Sequence, residues 1–191
     1  TTDATLSIDE NETSVQALSA SDPEDDTIEF SLAGINAGDT GSFTIDSSSG
    51  LLSFRNAPDY ETKISYEVYV YATDPSGSAE YELKVFTVSV LNVNDNTPTF
   101  TSDSSFSVDE NLTSAGSIAA TDADGDSITF STTSSDISID SSTGAMTFND
   151  APDYESITSF TADITLSDGT FSSTESVNIS INDVNDVTPT I

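Results

Sequence analysis

Apolar residues recur at every second position along several stretches of this chain. Ile64, Tyr66, Val68 and Val70 alternate with polar or outward-directed residues, and so do Phe160, Ala162, Ile164 and Leu166. Val177, Ile179 and Ile181 keep the same period. A period of two predicts β-strands with one buried face, because successive side chains leave the backbone on opposite sides. Leu83, Val85, Val88 and Val90 change parity midway, which predicts a bulge. Shorter strands are predicted at SFTID and LLSF, on either side of the turn SSSG, and at ISID and AMTF, on either side of SSTG. No amphipathic helical pattern appears.

The pattern comes twice. SIDENETS (residues 7–14) matches SVDENLTS (107–114), APDYE (57–61) recurs at 151–155, and NVNDNTPTF (92–100) has a near copy in DVNDVTPTI (183–191). Successive matches lie closer together, so the second copy is shorter, with deletions in its middle. The expected organisation is one repeat over residues 1–99 and a second over 100–191, with almost no linker. About seven short strands per copy at regular spacing predict an all-β chain of two tandem Greek-key β-sandwiches, immunoglobulin-like and joined end to end.

Charge sharpens this picture. The chain carries 34 acidic residues against three basic ones (Arg55, Lys63 and Lys84), with no His and a formal charge of −31. Nucleic acid and anionic membrane surfaces are poor partners, because Coulomb repulsion opposes their approach. Without Cys there is no disulfide framework and no thiolate metal site. No apolar run is long enough to span a bilayer. Disorder, the common reading of such acidity, conflicts with the regular hydrophobic period.

The acidic residues cluster by motif at the ends of strand patterns. Glu10, Asp59, Glu61 and Asp95 in the first copy match Glu110, Asp153, Glu155 and Asp186 in the second. Asp22 and Glu24 in SDPEDD match Asp122 and Asp124 in TDADGD, while Asp74 and Asp168 follow the long strands. In this order the motifs DEN, DPE or DAD, DYE, TDPSG or SDG, and NVNDNTP or DVNDVTP resemble those of the cadherin repeat family, nearly end to end in both copies. Asn92 and Val187 depart from the family pattern, in which Asp and Asn are usual.

The resemblance implies calcium ions at the junction between consecutive repeats. It assigns Glu10, Asp59, Glu61, Asn94 and Asp95, with carbonyls of Val93 and Asn96, from the first copy, and Asp122, Asp124 and Asp168 from the second. A backbone carbonyl near Gly125 or Asp126 would complete the set. Half-sites are implied at the poles: Asp22, Glu24 and Asp74 at one, Glu110, Asp153, Glu155 and Asp186 at the other. Two carboxylates about 5 Å apart repel by roughly 3 kcal/mol at an effective dielectric near 20. Convergence of these residues therefore requires cations, which three basic side chains cannot supply. All-oxygen donors without His or Cys select calcium over zinc or copper, and magnesium prefers smaller, water-rich octahedra.

Other readings are weaker. DADGD resembles the start of an EF-hand loop, but Ser127 and Thr133 stand where that loop needs Gly and Glu. Catalysis lacks a nucleophile–base pair, and the carboxylate pairs recur in both copies, so no enzyme is expected. The alternative function is a carbohydrate-binding module, with Tyr69 and Tyr71 directed outward to stack on sugar. The competing reading of those tyrosines is a cross-strand aromatic pair. The absence of Trp argues against the Trp-anchored strand exchange of some family members. Composition suggests a microbial surface adhesin, whereas the sequons at Asn11, Asn111 and Asn178 would matter only in a eukaryotic secretory pathway. The expected role is an extracellular or cell-surface, calcium-stiffened repeat of a membrane-anchored adhesin. Its expected partners are neighbouring repeats, and self or a cell-surface glycan or protein, with no direct membrane contact in this stretch.

Overall fold

The computed structural model describes residues 4–34, 36–76 and 81–188. It divides into two compact units, Thr1–Val93 and Asn94–Ile191. In the first unit β1 (Ala4–Asp9), β7 (Tyr81–Leu91), β6 (Ser65–Thr73) and β3 (Glu29–Leu32) form one sheet in that order. The order β2 (Ser14–Ala17), β5 (Leu51–Phe54), β4 (Phe43–Ile45) forms the other, and β1 runs parallel to β7. The inner faces meet in a core of Ile8, Phe30, Phe43, Leu52, Phe54, Val68, Val70 and Val88. Phe43 and Phe54 stack with centroids 4.2 Å apart, and Tyr66 closes edge-on against both. Each such fully buried side chain contributes roughly 1.5–3 kcal/mol through removal of apolar surface from water.

The second unit repeats this plan as an all-β sandwich. β12 (Thr129–Thr132), β15 (Ser159–Ser167), β16 (Ser172–Asn182) and β9 (Ser105–Asp109) make its larger sheet. β10 (Ser114–Ser117), β14 (Ala145–Phe148) and β13 (Ile137–Ile139) make the smaller. An extra two-stranded ladder joins β8 (Thr99–Phe100) to β11 (Ala120–Thr121). Alternation places Ala162, Ile164 and Leu166 inside, in one core with Val177, Ile179 and Ile181 of the neighbouring strand, where Ala162 lies opposite Val177.

The predicted bulge at residues 83–90 is absent. β6 and β7 pair without a break from Ser65 opposite Ser89 to Thr73 opposite Tyr81. The inward positions below Val88 are taken by Phe86, Lys84 and Glu82, and Leu83 and Val85 lie opposite Tyr71 and Tyr69 on the outer face. Polar residues at the open end of the inner face therefore imitate a register change. True irregularities lie between Ser14 and Gln16 and between Ser114 and Gly116.

The SSSG and SSTG turns are built alike. Asp46 Oδ1 accepts the N–H groups of Ser48 and Ser49, and Asp140 Oδ1 those of Ser142 and Thr143. The chain then reverses through Gly50 (φ 68°) and Gly144 (φ 69°). A Cβ there would lie 2.5 Å from the Leu18 carbonyl oxygen and 2.3 Å from that of Ile118 respectively, so only glycine fits.

Candidate metal centre

Three loops of the second unit meet at one pole. Asn94–Asn96 leads into β8, Asp122–Asp126 follows β11, and Asp168 follows β15. Asp124 ties the first two together: its Oδ2 accepts the N–H groups of Asp95 (3.1 Å) and Asn96 (2.8 Å). The Asn96 side-chain amide donates to Asp124 Oδ1 at 2.8 Å and to Asp95 Oδ1 at 2.9 Å. Asp122 Oδ1 accepts the Asp124 N–H within its own loop, and Asp168 Oδ1 accepts those of Thr170 and Phe171. Burial raises the Asp168 carboxyl, but these N–H donors and the Asn94 side chain outweigh it and hold it below the ordinary carboxylate value.

Asn94, Asp122 and Asp168 each keep an oxygen in reserve. Four buried side-chain polar atoms among the described residues lack a hydrogen-bond partner, and three are Asn94 Oδ1, Asp122 Oδ2 and Asp168 Oδ2. An orphaned buried oxygen costs about 1–3 kcal/mol, more when charged. Carboxylates of Asp122, Asp124 and Asp126 also come within 4.8 Å of one another. All three basic residues of the chain, Arg55, Lys63 and Lys84, lie in the first unit, so no side-chain cation of the second can neutralise this pole. The donor set is all oxygen, and Asn94 Oδ1, Asp122 Oδ2 and Asp168 Oδ2 in it are without donors. It fits a calcium ion.

At the other pole of the second unit Glu110 is 2% exposed. Its two oxygens accept the N–H groups of Tyr154 (2.6 Å) and Val184 (2.7 Å). It lies within 4.8 Å of Asp153 and Glu155. The Ser156 hydroxyl and the Glu155 N–H hold the Asp153 carboxyl below its ordinary value. A backbone N–H favours the Glu155 carboxylate, but burial and the Asp153 and Glu110 carboxylates prevail and raise it. Asp186 is tied to the Asn111 amide at 2.7 Å.

The first unit repeats both arrangements. Glu10, again 2% exposed, accepts the N–H groups of Tyr60 and Val93, each at 2.8 Å. Asp59, in the turn that also carries Glu61, accepts the Thr62 hydroxyl and the Glu61 N–H. Asp22, Glu24 and Asp26 gather within 4.8 Å at the opposite pole, while Asp74 accepts from Ser76. The carboxylates of Asp26 and Asp126 were not singled out from the sequence, which offered only a backbone carbonyl near Gly125 or Asp126, although their two-residue spacing from Glu24 and Asp124 marks them. The DEN motif also hides a backbone role. Asn11 and Asn111 adopt φ of 64° and 65°, and their N–H groups reach the carbonyls of Pro58 and Pro152. Asn tolerates this left-handed turn, which aims the preceding glutamate inward.

Tyr69 and Tyr71 are half-buried on the outer sheet face. Tyr71 meets Tyr81 edge-on with centroids 5.1 Å apart, and Tyr69 donates to Glu67. Tyr71 is thus one half of an aromatic pair across neighbouring strands.

Fold and donor set define a β-sandwich repeat with acidic, cation-seeking poles. Residues 4–91 match the family described as cadherin domain. Human Protocadherin Fat 4 is 32% identical over 187 residues, 92% of this chain and 4% of that protein. The Drosophila melanogaster protocadherin-like wing polarity protein stan is 36% identical over 170 residues, 77% of this chain and 5% of that protein. The chain thus spans a small part of the curated relatives it matches. Among solved structures, mouse cadherin-23 EC22-24 superposes with a TM-score of 0.78 at 24% identity over 97% of this chain and 65% of that one. Human Protocadherin-24 EC1-2 gives 0.78 at 20% identity over 95% and 94%. The chain belongs to the cadherin repeat family: tandem, extracellular, non-enzymatic modules that bind calcium. The microbial origin suggested by composition finds no support, since these relatives are animal proteins.

Proposed function

We propose that this chain is a calcium-binding stretch of an adhesion protein, in which calcium stiffens the succession of repeats. The repeats would span 1–99 and 100–191. Asn94, Asp95, Asp122, Asp124 and Asp168, with the Asn96 carbonyl, would hold calcium together with Glu10, Asp59, Glu61 and the Val93 carbonyl. Asp22, Glu24 and Asp74, and Glu110, Asp153, Glu155 and Asp186, would serve the same purpose toward neighbouring repeats. One observation carries this reading: three buried oxygens without donors, on Asn94, Asp122 and Asp168, in a unit devoid of basic residues. Calcium supplies the missing positive charge, and the chain supplies a preorganised set of oxygens that exclude water. Such a segment would act by presenting adhesive surfaces of the whole protein, on itself or on another cell-surface molecule, at a fixed reach.

Calorimetric titration tests this. Asp168→Asn preserves shape and the Oδ1 acceptor but removes the charge, and should weaken calcium binding at least about tenfold. Binding indifferent to that change, or equal binding of magnesium, would remove the basis of the proposal.

A further inference from the structure

Asn178-Ile179-Ser180 lies within β16, between β15 and β9 and outside the acidic clusters. Val177 and Ile179 point into the core, so Asn178 and Ser180 share the outer face of the larger sheet of the second unit. Asn178 is exposed there, opposite Thr161 on one side and Ser105 on the other, with Ser176 and Ser180 two residues away along the strand. Its backbone N–H donates to the Ser104 carbonyl at 2.8 Å, whereas its side-chain amide donates to no described residue. The other two sequons are placed differently. Asn11 and Asn111 adopt the left-handed turn that aims Glu10 and Glu110 inward, and Asn111 Nδ2 donates to Asp186 at 2.7 Å.

We propose that Asn178 is an N-glycosylation site whose glycan covers the outer face of this sheet. Ile179 leaves the middle position free of Pro, and Ser180 supplies the hydroxyl that the acceptor sequence requires. The co-substrate is a lipid-linked oligosaccharyl pyrophosphate. Its bond from sugar C1 to the pyrophosphate oxygen breaks, a C1–Nδ2 bond forms, Nδ2 gives up one proton, and the lipid pyrophosphate leaves. The family is extracellular and the matched relatives are animal proteins, the setting in which this transfer operates. Asn178 suits the modification because its amide gives up no partner and its neighbours are small, so the sugar projects away from the core. At Asn111 the same sugar crowds the bond to Asp186, at a pole that the proposed calcium half-site uses. The covered face also offers a protein little to grip. Where the outer face of the first unit carries Tyr69, Tyr71 and Leu83, the matching positions of the second carry Asp163, Thr165 and Thr174. Thr87 stands at the position matching Asn178, so the glycan marks one unit and leaves the tyrosine-bearing face of the other open.

The test uses the full chain, secreted from animal cells behind a cleavable leader. Release of glycans by peptide N-glycanase in heavy-oxygen water should leave the heavy isotope at position 178 in most molecules, read by peptide mass spectrometry. Asn178→Gln and, independently, Ser180→Ala should each abolish that label. The second variant keeps the Asn178 amide, so loss of the label there separates enzymatic transfer from spontaneous deamidation. In the glycosylated chain a soluble paramagnetic agent should lose the access to the Ser105, Thr161 and Ser176 amides that it has in the Asn178→Gln chain. Its access to Thr5 and Thr87, on the outer face of the first unit, should be the same in both. Position 178 without label overturns the site, whether or not Asn11 or Asn111 carries one. Equal access to the Ser105, Thr161 and Ser176 amides in the two chains overturns the covering of the face.

Discussion

Among the described residues, Glu10 and Glu110 are buried carboxylates with both oxygens engaged. Each is 2% exposed and satisfies two backbone N–H groups that would otherwise be orphaned. Glu110→Ala should therefore cost about 2–4 kcal/mol in calcium, the sum of two stranded donors, measured by urea unfolding. A loss under about 0.5 kcal/mol would show that water replaces the carboxylate freely. Asp140 allows a pH test. The Ser142 and Thr143 hydroxyls and N–H groups hold its carboxyl at about 2, below the ordinary 3.8. The folded value is depressed, so the stabilisation is complete above the unfolded value and is lost as pH falls from about 4 through about 2. Carboxyl NMR titration should place the Asp140 midpoint near 2, and Asp140→Ala should flatten that part of the stability curve. An Asp140 midpoint near 3.8 would contradict the turn geometry. At this scale the sequence yielded the identities of the acidic residues but not their states. That Glu10 has both oxygens engaged, whereas Asp122 and Asp168 each keep one in reserve, depends on backbone turns no spacing reveals.

At the scale of elements, the period of two located the long strands because each sheet has one wet face. It misled where the wet end of a strand turned inward. Lys84 and Glu82 occupy core-facing positions at the edge of β7, and alternation alone reads them as a slipped register. The turns were legible for a firmer reason, since only glycine can follow Asp-Ser-Ser-Ser/Thr with positive φ so near a carbonyl. Gly144→Ala should destabilise the second unit well beyond the about 1–2 kcal/mol of a left-handed residue, because its Cβ meets the Ile118 carbonyl oxygen at 2.3 Å. Gly125→Ala, at φ 80° with nothing within 4 Å, should cost only that backbone term. Equal losses in denaturant titrations would show that the SSTG turn yields easily and that the close approach is not what fixes glycine there.

Across the whole molecule, a charge of −31 opposes folding through self-repulsion, and two different remedies exist. Simple salt screens charges separated by more than about 8–10 Å at 0.1–0.15 M ionic strength, so it relieves the general repulsion and hardly touches clustered oxygens. Calcium acts on the clusters themselves, where the carboxylates of Asp122, Asp124 and Asp126 approach within 4.8 Å. A ligand at a hundredfold its Kd, bound only by the folded state, adds about 2.7 kcal/mol per site. For units of this size that corresponds to roughly 10 °C or more in Tm. In chelator, Tm should therefore rise gradually with sodium chloride. Millimolar calcium should add a further step that neither sodium at equal ionic strength nor magnesium reproduces, because magnesium holds its waters and a smaller octahedron. β-type circular dichroism should persist in chelator, since the cores around Phe43 and Leu52, and around Phe148 and Ile179, are built from aliphatic and aromatic side chains that need no cation. Scanning calorimetry in matched salts separates the two remedies. If sodium alone reached the calcium value, the acidic poles would be a solvated surface and not sites.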